Sequence, residues 1–347
     1  MRQVNYHISG SAFNLFSIET HFGLFTLEDK SHAEIPQQYP FNGPWGELVV
    51  ENVPIRENLP LPISMEVVFL SVAEEKFYYI SVPVNPREIE RIFEDFSKMS
   101  SITPYNIIVG MTPYGGVSLW LGNTQKQMLL GWLKGSEIDV PMQEFLPQRP
   151  ELPLHEYCMD YINNDFLVKE NLEKNGLPPR HLFDKYMQQF TYRYLQLFEH
   201  WNDEEWLKYE KEETSPELDY IEEALFDGTH DKLHDGGLMN YHEAGKPKTL
   251  SVQWHIKKSE YTAYFWFEDE EIRTVFDRFY GAHPETKTDF MIRIDSEKKK
   301  FELALYRYGL KEPQVINESA YQLIVFKNKF EYYRSENYDQ PRGAWIW

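Results

Sequence analysis

The sequence lacks the features by which several classes of protein are recognised. Its 347 residues include one cysteine, Cys158, which excludes an intrachain disulfide and is typical of a reducing compartment. No apolar run reaches the roughly 18 residues that a membrane span needs, and the N-terminal residues contain no uninterrupted apolar signal segment. We therefore predict a cytoplasmic protein without a membrane span.

Basic residues are also scarce. The formal net charge is -20, from 35 basic and 55 acidic residues, and the short basic run at 297–301 is flanked by acids. Such a charge repels nucleic-acid phosphates, so we expect no nucleic-acid partner. It favours basic protein partners, although a high charge also serves simple solubility.

Apolar and aromatic residues are abundant. Hydrophobic residues make up 42% of the chain and aromatic residues 16%, which is ample for packed cores and argues against disorder. At roughly 150 residues per domain, the length predicts about two domains.

Two parts of the chain repeat the same order of predicted elements. Residues 87–96 and 270–279 place apolar residues at i, i+4 and i+7, which predicts one buried helical face in each. Two alternating, strand-like runs precede each helix, and a strand pair follows it. The matched helical positions are Ile89 with Ile272, Phe93 with Phe276 and Phe96 with Phe279.

This repeat predicts an α+β fold of two related units, each an antiparallel sheet with a helix packed on one face, separated by a helical segment. Upstream of the helices, residues 63–69 align with 250–256, and downstream 105–111 aligns with 288–294. Each copy ends with a further strand candidate, 126–133 in the first and 321–333 in the second. The predicted domains are therefore residues 1–140, 141–249 and 250–347.

The predicted middle domain differs in composition from both units. Apolar residues from Leu182 to Trp201 recur at helical spacing, which predicts an amphipathic helix that contributes to a core. Residues 203–223 are strongly acidic, and residues 227–249 are rich in glycine and polar side chains, which indicates a linker or an exposed loop.

A glycine-rich stretch, "GMTPYGG" at 110–116, could cradle a phosphate or reverse a strand. It lacks the ending of a phosphate-binding loop, leads into a predicted strand rather than a helix, and has no glycine-rich counterpart in the second half. We therefore predict a structural turn and no cofactor. The turn residues are Gly110, Pro113, Gly115 and Gly116.

Four further stretches carry a family resemblance: "LPLPISMEVVFLS", "EEKFYYISVPV", "YNIIVGMTPYGGVSLWLG" and "LEKNGLPPRHLFDKYMQQFTYRY". Together they resemble the uncharacterised bacterial family known as domain of unknown function 2931, over roughly residues 45–200. Some proteins of this type are encoded beside toxic effectors of contact-dependent secretion systems, so the resemblance implies an immunity role. It supplies no catalytic residues.

Two groups of residues could support chemistry instead. His230, His234 and His242 stand among carboxylates and could bind a metal, but two glycines follow at once and a zinc-protease motif is missing, so we predict an exposed loop without a metal. Cys158 follows His155 by three residues, so a helix could pair thiol and imidazole as nucleophile and base, or could simply bury the thiol. These groups define the alternative hypothesis, a small hydrolase-type enzyme.

The principal hypothesis is a non-catalytic module that binds another protein, and the expected partner is a basic toxin that it neutralises. The candidate contact residues combine aromatic anchors with acids. The alternative is that Trp120 packs in a core and that the two tryptophans at 201 and 206 complete the core side of the predicted helix. The candidate contact residues are Trp120, Trp201, Asp203, Glu204, Glu205 and Trp206.

Overall fold

The computed structural model describes most of the chain as a strand-rich α+β fold. Of the described residues, 51% are in strands and 24% in helices. They form two compact units, unit 1 (Met1–Met187 with Asp227–Thr229) and unit 2 (Gln188–Phe226 with His230–Trp347). The described residues are 4–36, 40, 45–47, 56–99, 105–123, 125–198, 217–234, 240–256, 258–281, 286–295, 300–307 and 313–339.

The described residues of unit 1 form ten strands. They are β1 (Val4–Ala12), β2 (Ile18–Leu27), β3 (His32–Glu34), β4 (Arg56–Leu59), β5 (Pro62–Ser71), β6 (Lys76–Pro83), β7 (Tyr105–Thr112), β8 (Gly116–Gly122), β9 (Gln127–Lys134) and β10 (Ser136–Ile138). One sheet has the order β9-β8-β7-β1-β4 and the other β10-β6-β5-β2-β3. Strand β1 runs parallel to β7, whereas the other neighbours are antiparallel.

Helix α1 (Pro86–Met99) completes the core of unit 1, which confirms the helix predicted over 87–96. Proline suits the first turn because it lacks only an amide hydrogen that the helix does not use. Ile89, Phe93 and Phe96 are buried, and the Phe93 ring stacks on Tyr105 at 4.6 Å. The helix thus fills the same apolar cluster as residues of both sheets.

Four further helices follow β10: α2 (Met142–Phe145), α3 (Leu154–Asn164), α4 (Phe166–Asn175) and α5 (His181–Tyr186). Phe145 and Cys158 form a separate apolar cluster with Leu70 and Phe77, which lie on the outer side of the second sheet. Asp165 caps α4 by accepting hydrogen bonds from two backbone amides of its first turn. Helices α2 and α3 therefore cover one end of that sheet.

Within the part of unit 2 that the structure describes, there are eleven strands and one long helix. The strands are β11 (Phe190–Phe198), β12 (Glu217–Leu225), β13 (His230–His234), β14 (His242–Ala244), β15 (Pro247–Ile256), β16 (Ser259–Phe267), β17 (Thr288–Ile294), β18 (Phe301–Tyr306), β19 (Gln314–Ile316), β20 (Tyr321–Lys327) and β21 (Phe330–Arg334), and the helix is α6 (Asp269–Tyr280). The sheet orders are β14-β11-β17-β18-β19 and β21-β20-β16-β15-β12-β13, with β11 parallel to β17.

The predicted face of α6 needs one correction. Ile272 and Phe276 are fully buried as expected, but Phe279 is only partly buried, and Tyr280 fills the last core position instead. Phe276 and Tyr280 are four residues apart, so they project from the same side of the helix.

Strand order and register correspond between the two units, position by position. Each of β1 to β10 has its counterpart ten strands later, and both β2 and β12 contain one extra residue, His21 and Asp219, at the same place. Pro62 opposite Leu27 corresponds to Pro247 opposite Leu225.

This register corrects one sequence alignment. Met65, rather than Ile63, corresponds to Leu250, because a shift of two residues keeps every side chain on the same face of a strand and leaves the alternation unchanged. The strand candidates at 126–133 and 321–333 do form strands, β9 and β20–β21, and in sheet order β9 corresponds to β19 and β10 to β20.

The predicted helix from Leu182 to Trp201 is wrong for Phe190–Phe198, which form a strand, and its last residues lie outside the described residues. Residues Phe190, Tyr192 and Tyr194 are buried alternately in strand β11, which pairs with β17. Phe190 and Tyr194 satisfy a spacing of four as well as a spacing of two, and the aromatic residues favour the strand.

The predicted middle domain therefore does not appear as a unit. Residues up to Met187 belong to unit 1, and most of the remainder to unit 2, where β13 and β14 occupy the expected loop. The prediction of one purely antiparallel sheet in each unit is also wrong, since each unit has two sheets and one parallel pair. None of the helices within the described ranges is long and apolar enough to span a membrane.

Gly110 lies in β7 directly against the Trp120 ring, and an added methyl group would overlap that ring. Gly131, in β9 of the same sheet, has open space at the corresponding point. We predict that Gly110→Ala lowers the free energy of unfolding of unit 1 by about 1–3 kcal/mol through overpacking, whereas Gly131→Ala leaves it unchanged or raises it. Urea unfolding followed by tryptophan fluorescence measures both, and equal midpoints for the two variants would contradict the packing.

Candidate functional site

The glycine-rich stretch forms the β7–β8 hairpin and leads into a strand, which leaves no helix N-terminus for an anion. Gly115 has a φ of +74° and Tyr114 of 63°, which the tight reversal requires. The Tyr114 amide donates to Glu74 Oε2 at 2.6 Å, and Tyr78 Oη donates to Glu74 Oε1 at 2.9 Å. The Glu74 carboxylate therefore fixes the turn.

Trp120 is a core residue of unit 1 and not a contact residue, which corrects its assignment as a binding anchor. Its side chain is 0% exposed, and its Nε1 donates to the Asp227 carbonyl at 3.1 Å. The Trp45 ring meets it edge-on at 4.7 Å. The other candidate contact residues lie outside the described residues: Trp201, Asp203, Glu204, Glu205 and Trp206.

Cys158 and His155 share helix α3 but do not form a nucleophile and base. The Cys158 side chain is buried, whereas the exposed His155 ring is paired through Nδ1 with Glu75 Oε1 at 2.7 Å. Burial, followed by the charges of Glu75 and Glu19, raises the pKa of Cys158 to about 12. The thiolate needed for attack is therefore suppressed, and the geometry does not support the hydrolase hypothesis.

Glu19 is the most strongly perturbed carboxyl of unit 1. It lies on β2 beneath α3, and Tyr157 Oη donates to its Oε2 at 2.6 Å. Burial raises the pKa of Glu19 to about 7, although the hydrogen bond from Tyr157 acts in the opposite direction. This pair fastens α3 to the sheet.

The three histidines lie on strands, so the prediction of an exposed loop is wrong for them. His230 and His234 are at opposite ends of β13, which separates their Cα atoms by about 13 Å at the usual rise of a strand. His242 lies on β14, which pairs with β11. Within the described ranges, no three His, Cys, Asp or Glu residues are arranged to hold a metal ion.

His242 does belong to a buried polar cluster in unit 2, which we call the Glu223 cluster. Glu223, on β12, is 2% exposed, and Tyr194 Oη donates to its Oε2 at 2.5 Å. Its other oxygen, Oε1, lies 3.5 Å from His242 Nε2. The Tyr192 ring packs 5.3 Å from the His242 ring and donates through its hydroxyl to the Gly245 carbonyl.

Unit 1 places apolar side chains at the Glu223 and Tyr194 positions of this cluster, whereas Tyr192 corresponds to Tyr6 and His242 to Arg56. By strand register, Phe25 corresponds to Glu223, Ile8 to Tyr194 and Leu61 to Lys246, and all six side chains are buried. Burying a carboxylate or an ammonium is unfavourable unless partners compensate it. The fold therefore does not require these polar groups.

The environment of the cluster shifts two pKa values. Burial and the nearby Glu223 carboxylate raise the pKa of Tyr194 well above its ordinary range. Burial alone would lower the pKa of His242, but Glu223, the Asn240 carbonyl and Asp231 together raise it. The His242 side chain is 27% exposed, so it is the point at which this cluster meets solvent.

A second feature of unit 2 is an aromatic face on the outer side of the sheet formed by β20, β16, β15 and β12. Tyr220 and Phe326 lie in one cross-strand row, and Tyr264 in the next. Trp266 lies one row further, stacks on Tyr264 at 6.1 Å, and also contacts Tyr338. These side chains are half-buried, and we call the group Tyr220, Tyr264, Trp266 and Phe326 the aromatic face.

The corresponding positions in unit 1 are small and exposed. Register pairs Tyr264 with Ser81 and Trp266 with Pro83, both of which are exposed on β6. The two aromatic side chains of unit 2 are therefore not demanded by the fold.

Acidic side chains surround the aromatic face. Burial, and then Glu222, Tyr264, Glu260 and Asp219, raise the pKa of Tyr220 to about 12. Lys232 lies 3.7 Å from the centroid of the Tyr220 ring, which is a close cation–π contact. The Tyr220 ring, which has carboxylates nearby, is therefore a site at which a cation can bind, and Lys232 occupies one side of it.

Sequence reasoning found neither feature. Glu223 is one acid among many in the sequence. Its burial depends on the pairing of β12 with β15 and on the packing of Tyr194, from β11 of the other sheet, against it. The alternation of Tyr264 with Phe265 and Trp266 with Phe267 was visible, but it does not reveal which face the core occupies.

Comparison with known proteins supports the family resemblance for the first half of the chain. Residues 31–174 match the model of the family described as Protein of unknown function (DUF2931). The match lies within unit 1 and covers less than half of the chain. No curated protein and no solved structure matches the chain.

Burial of the Cys158 thiol predicts that it reacts slowly in the folded protein. A thiol-specific reagent should label native Cys158 at least about 100-fold more slowly than the unfolded chain, because labelling requires local opening. A matched control is Met159→Cys in a Cys158→Ser background, which moves the thiol to the exposed neighbouring position on α3 and should react rapidly. Equal rates for the two native proteins would contradict the assigned burial.

Proposed function

We propose that the protein is a non-catalytic module that binds another protein through the aromatic face of unit 2. The observation that carries this proposal is the presence of Tyr264 and Trp266 where the corresponding positions of unit 1 hold exposed Ser81 and Pro83. Large aromatic side chains that the fold does not need are the usual anchors of protein interfaces.

The charge around this face favours a partner with a basic surface. Asp219, Glu222 and Glu260 lie near Tyr220, and the chain as a whole carries a net charge of -20. Complementary charge accelerates encounter and disfavours acidic competitors. Because exposed charges are screened within about 10 Å at 0.1 M salt, association should weaken as salt rises.

The family resemblance supports an immunity role within this proposal. The partner would be a toxic effector encoded beside this protein, and the single cysteine suits an encounter in the reducing cytoplasm. A toxin that acts there on nucleic acid has a basic cleft, to which an acidic aromatic surface is complementary. Binding over that cleft would block access of the phosphate backbone.

We also propose that the two units are divergent copies of one ancestral unit. The matching strand orders, the parallel pairs and the extra residues at His21 and Asp219 support this relation. Under this proposal the face-specific aromatic residues of unit 2 arose after duplication, so one copy became specialised for binding.

The experiment co-expresses the protein with the product of the adjacent gene and measures their affinity. Combined substitution of Tyr264→Ser and Trp266→Ser, the first being the unit 1 residue, should raise Kd by about 30-fold or more, since interface anchors contribute roughly 2 kcal/mol or more. The matched control is Phe330→Ser, which removes an aromatic side chain 79% exposed on β21 and outside the face.

Charge reversal tests the electrostatic part separately. Glu222→Lys with Glu260→Lys should reduce the association rate and its salt dependence, while Asp203, Glu204 and Glu205 changed together to Lys test the acidic stretch singled out from sequence. Binding that survives both the aromatic and the charge changes would contradict the assigned face. Failure of the wild-type protein to protect cells from the neighbouring gene product would contradict the immunity role.

A further inference from the structure

Within the described part of the chain, the second oxygen of Glu223 is paired with His242, which lies on an edge strand. Tyr194 satisfies Oε2, whereas Oε1 faces His242 Nε2 at 3.5 Å. His242 begins β14, which has three residues and lies at the end of the described order β14-β11-β17-β18-β19. The buried carboxylate is therefore compensated in part by a residue on a short, peripheral element.

The Glu223 carboxylate and the Tyr194 hydroxyl are specific to this unit, whereas the Tyr192 and His242 positions hold Tyr6 and Arg56 in unit 1. The same strand positions of unit 1 hold Phe25 and Ile8 in place of Glu223 and Tyr194, within an apolar cluster that needs no compensation. A buried carboxylate whose partner is removed destabilises its surroundings by several kcal/mol. The stability of unit 2 therefore depends on the protonation state of His242. Unit 1 has no such dependence, because Phe25 replaces the buried carboxylate.

We propose that His242 and Glu223 form a proton-controlled latch that holds edge strand β14 on unit 2. With His242 protonated, its positive charge compensates Glu223 and β14 stays paired with β11. When His242 loses its proton, the carboxylate keeps only Tyr194, so β14 separates from β11 more often and exposes the cluster.

The groups that face His242 all favour its protonated form or are neutral. Glu223 approaches from β12 and Asp231 from β13, Tyr192 and Tyr194 pack against it from β11, and the Asn240 carbonyl lies 3.4 Å from Nδ1. Lys246 follows β14 in the chain, and its Nζ lies 3.9 Å from Asp277 Oδ1.

The direction of the pH effect follows from this environment. The folded pKa of His242 is raised above its ordinary value of 6.5, so the stabilisation is complete below about pH 6.5 and is lost as pH rises through the folded pKa. The latch therefore closes at acidic pH and opens at alkaline pH. The aromatic face lies on the outer side of the sheet that contains β12, whereas Glu223 is buried on the inner side of the same strand.

Hydrogen–deuterium exchange of the full-length protein tests the latch directly. After correction for intrinsic chemistry, peptides covering β14 should exchange at least about tenfold faster at pH 8.5 than at pH 6.0. Peptides covering β4, the corresponding edge strand of unit 1, provide an internal control and should show no such dependence.

Three variants separate the latch from general effects of pH. Glu223→Gln keeps an acceptor for Tyr194 and should abolish the pH dependence, and Glu223→Phe with Tyr194→Ile, which restores the unit 1 residues, should do the same while preserving the fold. His234→Gln, a change at an exposed histidine of the same unit, should behave as wild type. A flat pH profile in wild type, or an unchanged profile in Glu223→Gln, overturns the proposal.

Discussion

The parallel pairing of the first strand of each unit with the strand after its long helix is the constraint on which both units depend. Strand β1 pairs with β7, and β11 with β17, across about 100 residues of chain in each case. The first strand places Tyr6 or Tyr192 in the core. The Tyr6 hydroxyl donates to the Pro60 carbonyl and the Tyr192 hydroxyl to the Gly245 carbonyl, in each case two residues before β5 or β15 begins. Two sheets and one helix pack around that strand. Its side chains therefore determine which apolar or polar side chains can be buried beside them.

The two cores use this arrangement differently. Unit 1 surrounds β1 with apolar side chains, whereas unit 2 introduces Glu223, Tyr194 and Lys246 at the corresponding places. On the outer surface, unit 2 has the larger apolar side chains: Tyr264 and Trp266 stand where unit 1 has Ser81 and Pro83. Comparison of the two units therefore identifies the positions whose side chains the common strand arrangement does not determine.

Local pattern was enough to predict some of this fold. The spacing in 87–96 and 270–279 located α1 and most of the buried face of α6, because a helix buries one stripe regardless of its surroundings. The same reasoning failed at β11, where aromatic residues fit two periods and the pairing with β17 decided between them. Long-range pairing also determines the register of β5 and β15 and the burial of Glu223, neither of which alternation alone can specify. The candidate binding surface was missed for the same reason, since it is assembled from rows across four strands.

Site-specific crosslinking tests the central claim, that the aromatic face of unit 2 contacts the partner. A photoreactive benzoylphenylalanine at position 264 can be compared with one at Phe166, an aromatic residue of unit 1 that is 73% exposed on α4. The account predicts that irradiation links the partner protein to position 264 and not to position 166. Crosslinking from position 166 with none from position 264 would contradict it.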